Sequence, residues 1–359
     1  MNTPSRVRAP ALPAATLAMF LLLVGCAGRD GAPEAGAPPP TPEAEAAAAA
    51  LQYPEWETVP AGDHSSYNQR TSLIQRGHLV YRKYCVGCHG EYGDGQGAAA
   101  ARLITKPRDF TRGIYKFRST DSGSLPLEAD LYRIITHGLA RVSMPAFPLM
   151  PEGDKIAVIE YVKSFYPRWD EEKDRRLVVP VPYAPDDLGD EGRIARGRVV
   201  FLLMQCSKCH GVDGRGTGAT QTEYVDAWGN PQKAFDFTRG SLKGGNNPED
   251  IYRTFHTGLR SVMPSFGGET LAAVTADTFD SLTQGLIEPR EIETLRPLLD
   301  QFPADGAALF SEMSGGERLE LAERNSWDLV AYILSLRTRT TTAAAVLGTE
   351  AASTTAASG

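Results

Sequence analysis

One five-residue pattern, Cys-x-x-Cys-His, occurs at positions 85–89 and again at 206–210. Two cysteines separated by two residues and followed at once by histidine form the attachment pattern of a c-type haem. Both thiols form thioethers with the porphyrin, and the imidazole binds the iron. We therefore expect two covalently bound haem c groups. The residues expected to hold them are Cys85, Cys88, His89, Cys206, Cys209 and His210.

The two patterns lie in two copies of a larger sequence unit. A glycine-rich loop follows each pattern, at 90–97 and 211–218, and the sequence Asp-Phe-Thr-Arg-Gly then recurs without change at 109–113 and 236–240. Farther along, Met144 and Met263 are each followed by proline. Internal repetition on this scale indicates two tandem domains of the same fold.

Helical spacing of apolar residues surrounds both patterns. Leu73, Val80 and Tyr81 recur at intervals of a helix face and lead into the first pattern, and segment 155–165 has the same spacing. Residues 329–332 echo that second helix in the other copy. The spacing therefore predicts that two helices of each copy pack together.

Each copy resembles a class I cytochrome c domain, the small all-α fold in which an N-terminal and a C-terminal helix wrap a haem. The resemblance covers residues 67–168 and 191–337. It implies that His89 and His210 are proximal ligands and that Met144 and Met263 are distal ligands of the irons. It also implies that two glycines allow close helix crossings against aromatic residues; the pairs are Gly77 with Tyr161 and Gly197 with Tyr332. The second copy departs from the family because about sixty residues, 267–325, precede its last helix.

The methionine assignment has a physical argument of its own. A thioether as sixth ligand favours ferrous iron and raises the reduction potential. Met150 and Met313 are rivals without counterparts in the other copy. His137 and His256, each seven residues before its methionine, leave open a pair of bis-histidine haems or a role beside the ligands.

Other interpretations of the cysteines and basic residues stay open. Two Cys-x-x-Cys pairs could bind one zinc ion, although they lie in separate repeats, and a thioredoxin-like pair would need a βαβ context. Lys106, Arg112, Lys116 and Arg239 could neutralise haem propionates or could simply be solvated. His64 and His78 have no counterparts in the second copy and are expected at the surface.

The N-terminus resembles a bacterial lipoprotein signal. Arg6 and Arg8 precede an apolar run at 11–24, and the sequence Leu-Val-Gly-Cys ends at Cys26. We expect cleavage after residue 25, acylation of Cys26, and a Pro/Ala-rich tether at 26–66. An ordinary signal peptide and an uncleaved anchor are the alternatives. This prediction places the chain in the bacterial cell envelope, lipid-anchored and facing the periplasm or the outer side of the cytoplasmic membrane.

Amino-acid composition indicates the remaining segments and excludes some functions. A linker is expected at 169–190, where prolines are dense, and a disordered Thr/Ala/Ser tail at 338–359. The net charge of −7 argues against nucleic-acid binding. Four of the five cysteines lie in the two patterns, so only Cys26 is left and no structural disulfide is expected.

These features favour an electron carrier over an enzyme. The expected partners are redox proteins, such as a quinol-oxidising complex, another cytochrome or a terminal oxidase, with the membrane contacted through the lipid anchor. A di-haem peroxidase is the enzymatic alternative, although neither copy shows an obvious acid/base group for cleaving peroxide. A cytochrome subunit fixed in a membrane respiratory complex is a third possibility.

Overall fold

A computed structural model describes residues 67–220, 224–260 and 262–355, with side chains from 69 and up to 337. The described residues form α- and 3₁₀-helices and three isolated β-bridges, without a β-strand, so the all-α prediction is confirmed. The helices of the first repeat are α1 (Tyr67–Tyr84), α2 (Val86–His89), α3 (Glu128–His137) and α4 (Glu152–Ser164). A 3₁₀ turn, Ala100–Arg102, lies between α2 and α3.

The linker and the second repeat continue this pattern with additional short helices. Helix α5 (Trp169–Glu172) and a 3₁₀ turn, Lys173–Arg175, open the linker. The helices of the second repeat are α6 (Glu191–Leu203), α7 (Ser207–His210), α8 (Pro248–Thr257), α9 (Gly268–Ala272), α10 (Phe279–Thr283), α11 (Pro289–Leu295), α12 (Gly306–Glu312) and α13 (Gly315–Thr355). Two 3₁₀ turns, Ala276–Thr278 and Arg296–Gln301, separate some of them.

The first and last helices of each repeat cross at a glycine. A Cβ on Gly77 of α1 would lie 2.0 Å from the carbonyl oxygen of Ala157 in α4. A Cβ on Gly197 of α6 would lie 1.8 Å from the carbonyl oxygen of Asp328 in α13. Only glycine fits such an approach, because a methyl group would force the two backbones apart. This confirms the close crossings that the resemblance implies.

The crossings are enclosed by apolar side chains at the predicted helical spacing. In the first repeat, Val80 and Tyr81 of α1 pack with Val158 and Val162 of α4. In the second, Val200 and Phe201 of α6 belong to a larger core that includes Val330 of α13. Burial of these faces is what holds each helix pair together, since short isolated helices are marginal in water.

Segment 267–325 packs against helices α6 and α13 of the second repeat. Its residues Leu271 and Phe279 belong to the core around α6 and α13, and its Leu309 is also buried. The side-chain amide of Asn325, in α13, donates to the carbonyl of Leu271 across 2.9 Å. The segment is therefore packed against the helix pair rather than left as a free loop.

Residues of the linker form hydrogen bonds with both repeats. Val179 donates its backbone N–H to Ser119 across 2.9 Å, and Asp121 donates its own to Leu177 across 2.8 Å. Farther along, the N–H of Ala184 reaches the carboxylate of Glu249, at 3.3 Å. The two repeats accordingly fall within one compact unit of the chain.

Some expectations lie outside the described residues or differ from them. The signal sequence at 1–25, Cys26, the tether at 26–66 and His64 lie outside the described part. The backbone of α13 continues to Thr355, whereas composition predicts a disordered tail from 338; alanine, frequent in this stretch, is the best helix former. From Tyr67 to Thr355, as far as the chain is described, none of the helices is long and apolar enough to span a membrane.

Candidate haem-binding site

The imidazole of the first Cys-x-x-Cys-His pattern is held on two sides. Helix α1 ends just before Cys85, and the short α2 presents His89 from its last position. The His89 Nδ1 lies 3.0 Å from the carbonyl oxygen of Arg108, and the ring stacks on Phe110 with centroids 4.5 Å apart. When Nδ1 carries the proton and donates to this carbonyl, Nε2 is left free to bind a metal.

The second pattern repeats this arrangement. The His210 Nδ1 lies 3.0 Å from the carbonyl oxygen of Phe235, and its ring stacks on Phe237 at 4.3 Å. Burial lowers the pKa of both histidines, so both imidazoles are neutral at pH 7, the state that ligates iron. Two sites with the same geometry are therefore built from the two repeats.

The glycine-rich loops close against the patterns. Gly95 donates its N–H to the carbonyl of His89 across 2.9 Å, and Gly216 donates to His210 across 2.7 Å. A Cβ on Gly97 would lie 2.4 Å from the carbonyl oxygen of Gly87, and one on Gly218 2.2 Å from that of Lys208. The loops thus need glycine where they approach the backbone of α2 and α7.

The four cysteines of the patterns are partly buried, and none of them forms a disulfide. Burial, followed by the neighbouring Cys88, raises the pKa of Cys85 to about 12, and burial raises that of Cys206 to about 12. Cys85 and Cys206 are therefore neutral thiols at pH 7, whereas a redox-active pair presents a thiolate. Within the described ranges, no group of three or more His, Cys, Asp or Glu side chains could hold a metal ion, which leaves the zinc interpretation without support.

Both patterns open into one cavity of about 1090 Å³. Its walls are largely apolar, and it lies between the two repeats. The predicted ligands and attachment residues all line it: Cys85, Cys88, His89, Met144, Cys206, Cys209, His210 and Met263. Among its lining residues there is none from segment 267–325, whose described side chains pack behind the helix pair instead.

The two methionines reach the cavity from similar loops. Each loop follows a helix that ends at a left-handed glycine, Gly138 with φ 65° or Gly258 with φ 67°. The N–H of the next leucine then bonds the methionine carbonyl, from Leu139 to Met144 at 3.1 Å and from Leu259 to Met263 at 2.9 Å. The rivals Met150 and Met313 are not among the residues that line the cavity.

The two histidines that precede the methionines are not equivalent. His137 is the last residue of α3, whereas His256 is the second last of α8, because the methionine loop of the second repeat is shorter. His137 is exposed, and His256 is buried with its Nε2 3.0 Å from the Ser326 hydroxyl. Neither lines the cavity. The sequence argument that equal spacing makes them counterparts is therefore wrong.

Several donors in the cavity wall suit a group that carries carboxylates. The Tyr115 hydroxyl and the Trp228 indole N–H are buried without a hydrogen-bond partner among the described residues. The Arg108 side chain lines the same cavity, and although burial lowers its pKa to about 10, it is a cation at pH 7. Thiols, neutral imidazoles, thioethers and carboxylate-seeking donors around an apolar space form a donor set that fits haem c.

The basic residues singled out from the sequence make other contacts. Lys116 pairs with Asp226 at 3.2 Å, and Arg112 donates to the Ala227 carbonyl across 2.6 Å. Lys106 donates to the Ala100 carbonyl across 3.1 Å, and Arg239 pairs with Asp236 at 3.3 Å. Arg108, which directly precedes the repeated Asp-Phe-Thr-Arg-Gly motif, is a cavity-lining cation that sequence reasoning missed, and so are Lys208, Lys233 and Lys243.

Sequence reasoning also missed a hairpin-like turn at 224–232 in the second repeat. Val225 and Pro231 form an isolated antiparallel bridge, and the Asp226 carboxylate accepts the N–H groups of Trp228 and Asn230, each across 3.0 Å. This turn contacts the first repeat. Two sequence features could have revealed this turn. The glycine loop and Asp-Phe-Thr-Arg-Gly are farther apart in the second copy, and the turn residues Trp-Gly-Asn-Pro lie between them.

Comparison with known proteins agrees with this architecture. The family model described as cytochrome C oxidase, cbb3-type, subunit III matches residues 72–162 and 192–278. A chain of the Kuenenia stuttgartiensis reducing HAO-like protein complex is similar in structure, with a TM-score of 0.54 and 33% sequence identity. The match covers 73% of this chain and 96% of that one. The sequence matches none of the curated proteins. The chain belongs to the class I cytochromes c, with two domains in tandem, and is an electron-transfer protein of the covalent haem c type.

Proposed function

We propose that the chain is a relay of two haem c groups that passes electrons between redox partners in the bacterial cell envelope. The observation that carries this proposal is the single cavity into which both Cys-x-x-Cys-His patterns open. Two sites that share one apolar space bring two cofactors near each other without intervening protein domains. A relay needs such proximity, whereas two independent carriers joined by a linker do not.

The cysteines, histidines and methionines have different roles at each site. Cys85 and Cys88, or Cys206 and Cys209, would fix the group covalently. The neutral imidazoles of His89 and His210 would bind iron through Nε2, each held by a carbonyl at 3.0 Å. Met144 and Met263 would complete the coordination. Haem c supplies reversible one-electron chemistry, and the apolar walls limit solvent reorganisation around it.

The axial methionines can be tested by spectroscopy. Ferric haem with a methionine ligand absorbs in the far red, through charge transfer from sulfur to iron. We expect that band to have the intensity of two ligated haems and to fall by half in Met144→Ala and in Met263→Ala. Met150→Ala is the matched control, because Met150 lies outside the cavity lining. A band that is unchanged in both ligand variants would refute the assignment.

The cavity chemistry favours a carrier over a peroxidase. Cleaving peroxide needs a free acid/base group beside an open iron position. Asp226 is the one carboxylate among the described residues that line the cavity, and it is paired with Lys116 at 3.2 Å. We expect the half-reduced protein to turn over hydrogen peroxide no faster than an Asp226→Asn control, which lacks that carboxylate. Substantial turnover by the half-reduced protein would instead identify an enzyme.

We also propose that Cys26 is acylated and tethers the domains to a membrane. The support is the sequence alone, where a signal-like segment ends in Leu-Val-Gly-Cys. The partners would be membrane-associated redox proteins, such as a quinol-oxidising complex, another cytochrome or a terminal oxidase. Cys26→Ser should move the protein from the membrane fraction to the soluble fraction. A mature N-terminus at any residue other than 26 would contradict the tether.

A further inference from the structure

The two carbonyl groups that hold the proximal histidines lie in segments touched by the opposite domain. Arg108 and Phe235 occupy equivalent positions, one residue before the repeated Asp-Phe-Thr-Arg-Gly motif. Each gives its backbone carbonyl to a histidine, at 3.0 Å in both domains. The side chain of each also meets a residue of the other domain. The histidine supports therefore coincide with the domain interface.

The first contact comes from the turn at 224–232 in the second domain. The Arg108 guanidinium lies over the Trp228 ring, 4.0 Å from its centroid. Three residues of the turn hold the same segment of the first domain: Ala227 accepts from Arg112 across 2.6 Å, and Asp226 and Gln232 accept from Lys116 across 3.2 Å and 3.1 Å.

This contact is largely shielded from solvent. The side chains of Lys116 and Asp226 are 13% and 7% exposed. A cation over an indole ring contributes more when water is excluded, and a buried ion pair with added hydrogen bonds holds a defined geometry. Segment 108–116 is thus fixed by the other domain at three of its residues. Within it, Phe110 also stacks on His89.

The second contact runs in the opposite direction. Arg141 of the first domain lies 5.5 Å from the centroid of the Phe235 ring. Its Nη1 also donates to the Arg239 carbonyl across 2.5 Å. Arg141 has a φ of 60°, a left-handed conformation that is unusual for a residue other than glycine. The two contacts involve different residue types, but each is made to the residue whose carbonyl accepts from the proximal histidine of its repeat.

A histidine ligand depends on the acceptor behind it. The acceptor fixes the ring orientation and the tautomer and raises the basicity of the ligating nitrogen. A contact that fixes the segment carrying the acceptor carbonyl therefore also fixes the proximal histidine. We propose that each domain positions the proximal histidine of the other, Trp228 acting on His89 through Arg108, and Arg141 acting on His210 through Phe235. This proposal rests on the proposed function, in which both histidines bind iron.

The experiment measures how fast each histidine Nδ1–H exchanges with solvent in the haem-loaded, fully reduced protein. Ferrous six-coordinate haem is diamagnetic, so histidine labelled with ¹⁵N gives observable ring resonances. Those of His89 and His210 are distinguished by their contacts with the Phe110 and Phe237 rings. In Trp228→Ala we expect the His89 proton to exchange about 5- to 30-fold faster and the His210 proton to keep its rate.

Three further variants distinguish an effect on one histidine from a general loosening of the domain interface. Trp228→Phe keeps a ring over Arg108, so the His89 proton should exchange more slowly than in Trp228→Ala. Arg141→Asn tolerates the left-handed backbone and should accelerate the His210 proton alone. Tyr183→Ala removes an aromatic side chain that is 97% exposed in the linker, and both rates should stay unchanged.

The result that overturns the proposal is an unchanged His89 rate in Trp228→Ala, or equal acceleration of both protons in either interface variant. Haem content and the low-spin ferrous spectrum are measured on the same samples. Two haems per chain with an unchanged His89 rate would refute the positioning role alone. Fewer than two haems per wild-type chain would refute the proposed function and this inference with it.

Discussion

Replacement of Gly77 by alanine tests the geometry on which the first domain depends. The added methyl carbon would lie 2.0 Å from the Ala157 carbonyl oxygen and 2.8 Å from the Tyr161 Cβ. A carbon and a carbonyl oxygen tolerate about 3.3 Å, so α1 and α4 must separate by about 1.3 Å. Overpacking of this kind costs about 3 kcal/mol when the closest neighbour is a backbone carbonyl, and alanine regains about 1 kcal/mol of helix propensity.

We therefore expect Gly77→Ala to destabilise the first domain by about 2 kcal/mol. Guanidinium unfolding of the haem-loaded protein, followed by loss of the far-red methionine band, reports this change. Gly189→Ala is the matched control, since a Cβ there meets nothing within 4 Å and the backbone is not left-handed. Equal midpoints for Gly77→Ala and Gly189→Ala would refute the close-crossing argument.

Two further predictions concern the interface and the pH dependence of stability. Arg118, which is 2% exposed and donates to the Thr257 carbonyl across 2.8 Å, joins the first domain to the end of α8. Arg118→Met should lower the free energy of unfolding by about 2–3 kcal/mol in chemical denaturation, because buried carbonyls lose their donor, whereas the exposed Arg215→Met should not. Burial lowers the pKa of His256 from 6.5 to about 4, so its stabilising contribution is complete above pH 6.5 and is lost as the pH falls towards 4. The stability difference between wild type and His256→Gln should therefore shrink over that interval, and a difference independent of pH would contradict the buried neutral imidazole.

Local sequence patterns predict the parts of the site that each repeat builds alone. The helices at Gly77 and Gly197, the histidine positions and the loops that carry Met144 and Met263 all follow from residues that recur in both copies. These elements are predictable because spacing along a helix or a tight loop determines which side chains meet. The histidine alternative failed because one loop residue fewer moves His256 off the register of His137.

The features between the repeats could not be predicted in the same way. The stacking of Arg108 on Trp228 joins residues far apart in sequence, and no periodicity reports such a contact. Likewise, the acidic and leucine-bearing helices of 267–325 have apolar faces, but the sequence does not say which surface covers them. They pack against α6 and α13 because apolar side chains of that helix pair form one buried cluster with theirs.

The most direct test of the account is a count of covalently bound haem by intact-mass spectrometry. We expect wild-type protein to carry two haems per chain. Cys85→Ser with Cys88→Ser should leave one, Cys206→Ser with Cys209→Ser should leave one, and all four substitutions together should leave none. One haem or none in the wild-type chain, or two haems retained after either pair of substitutions, would contradict the two-haem relay.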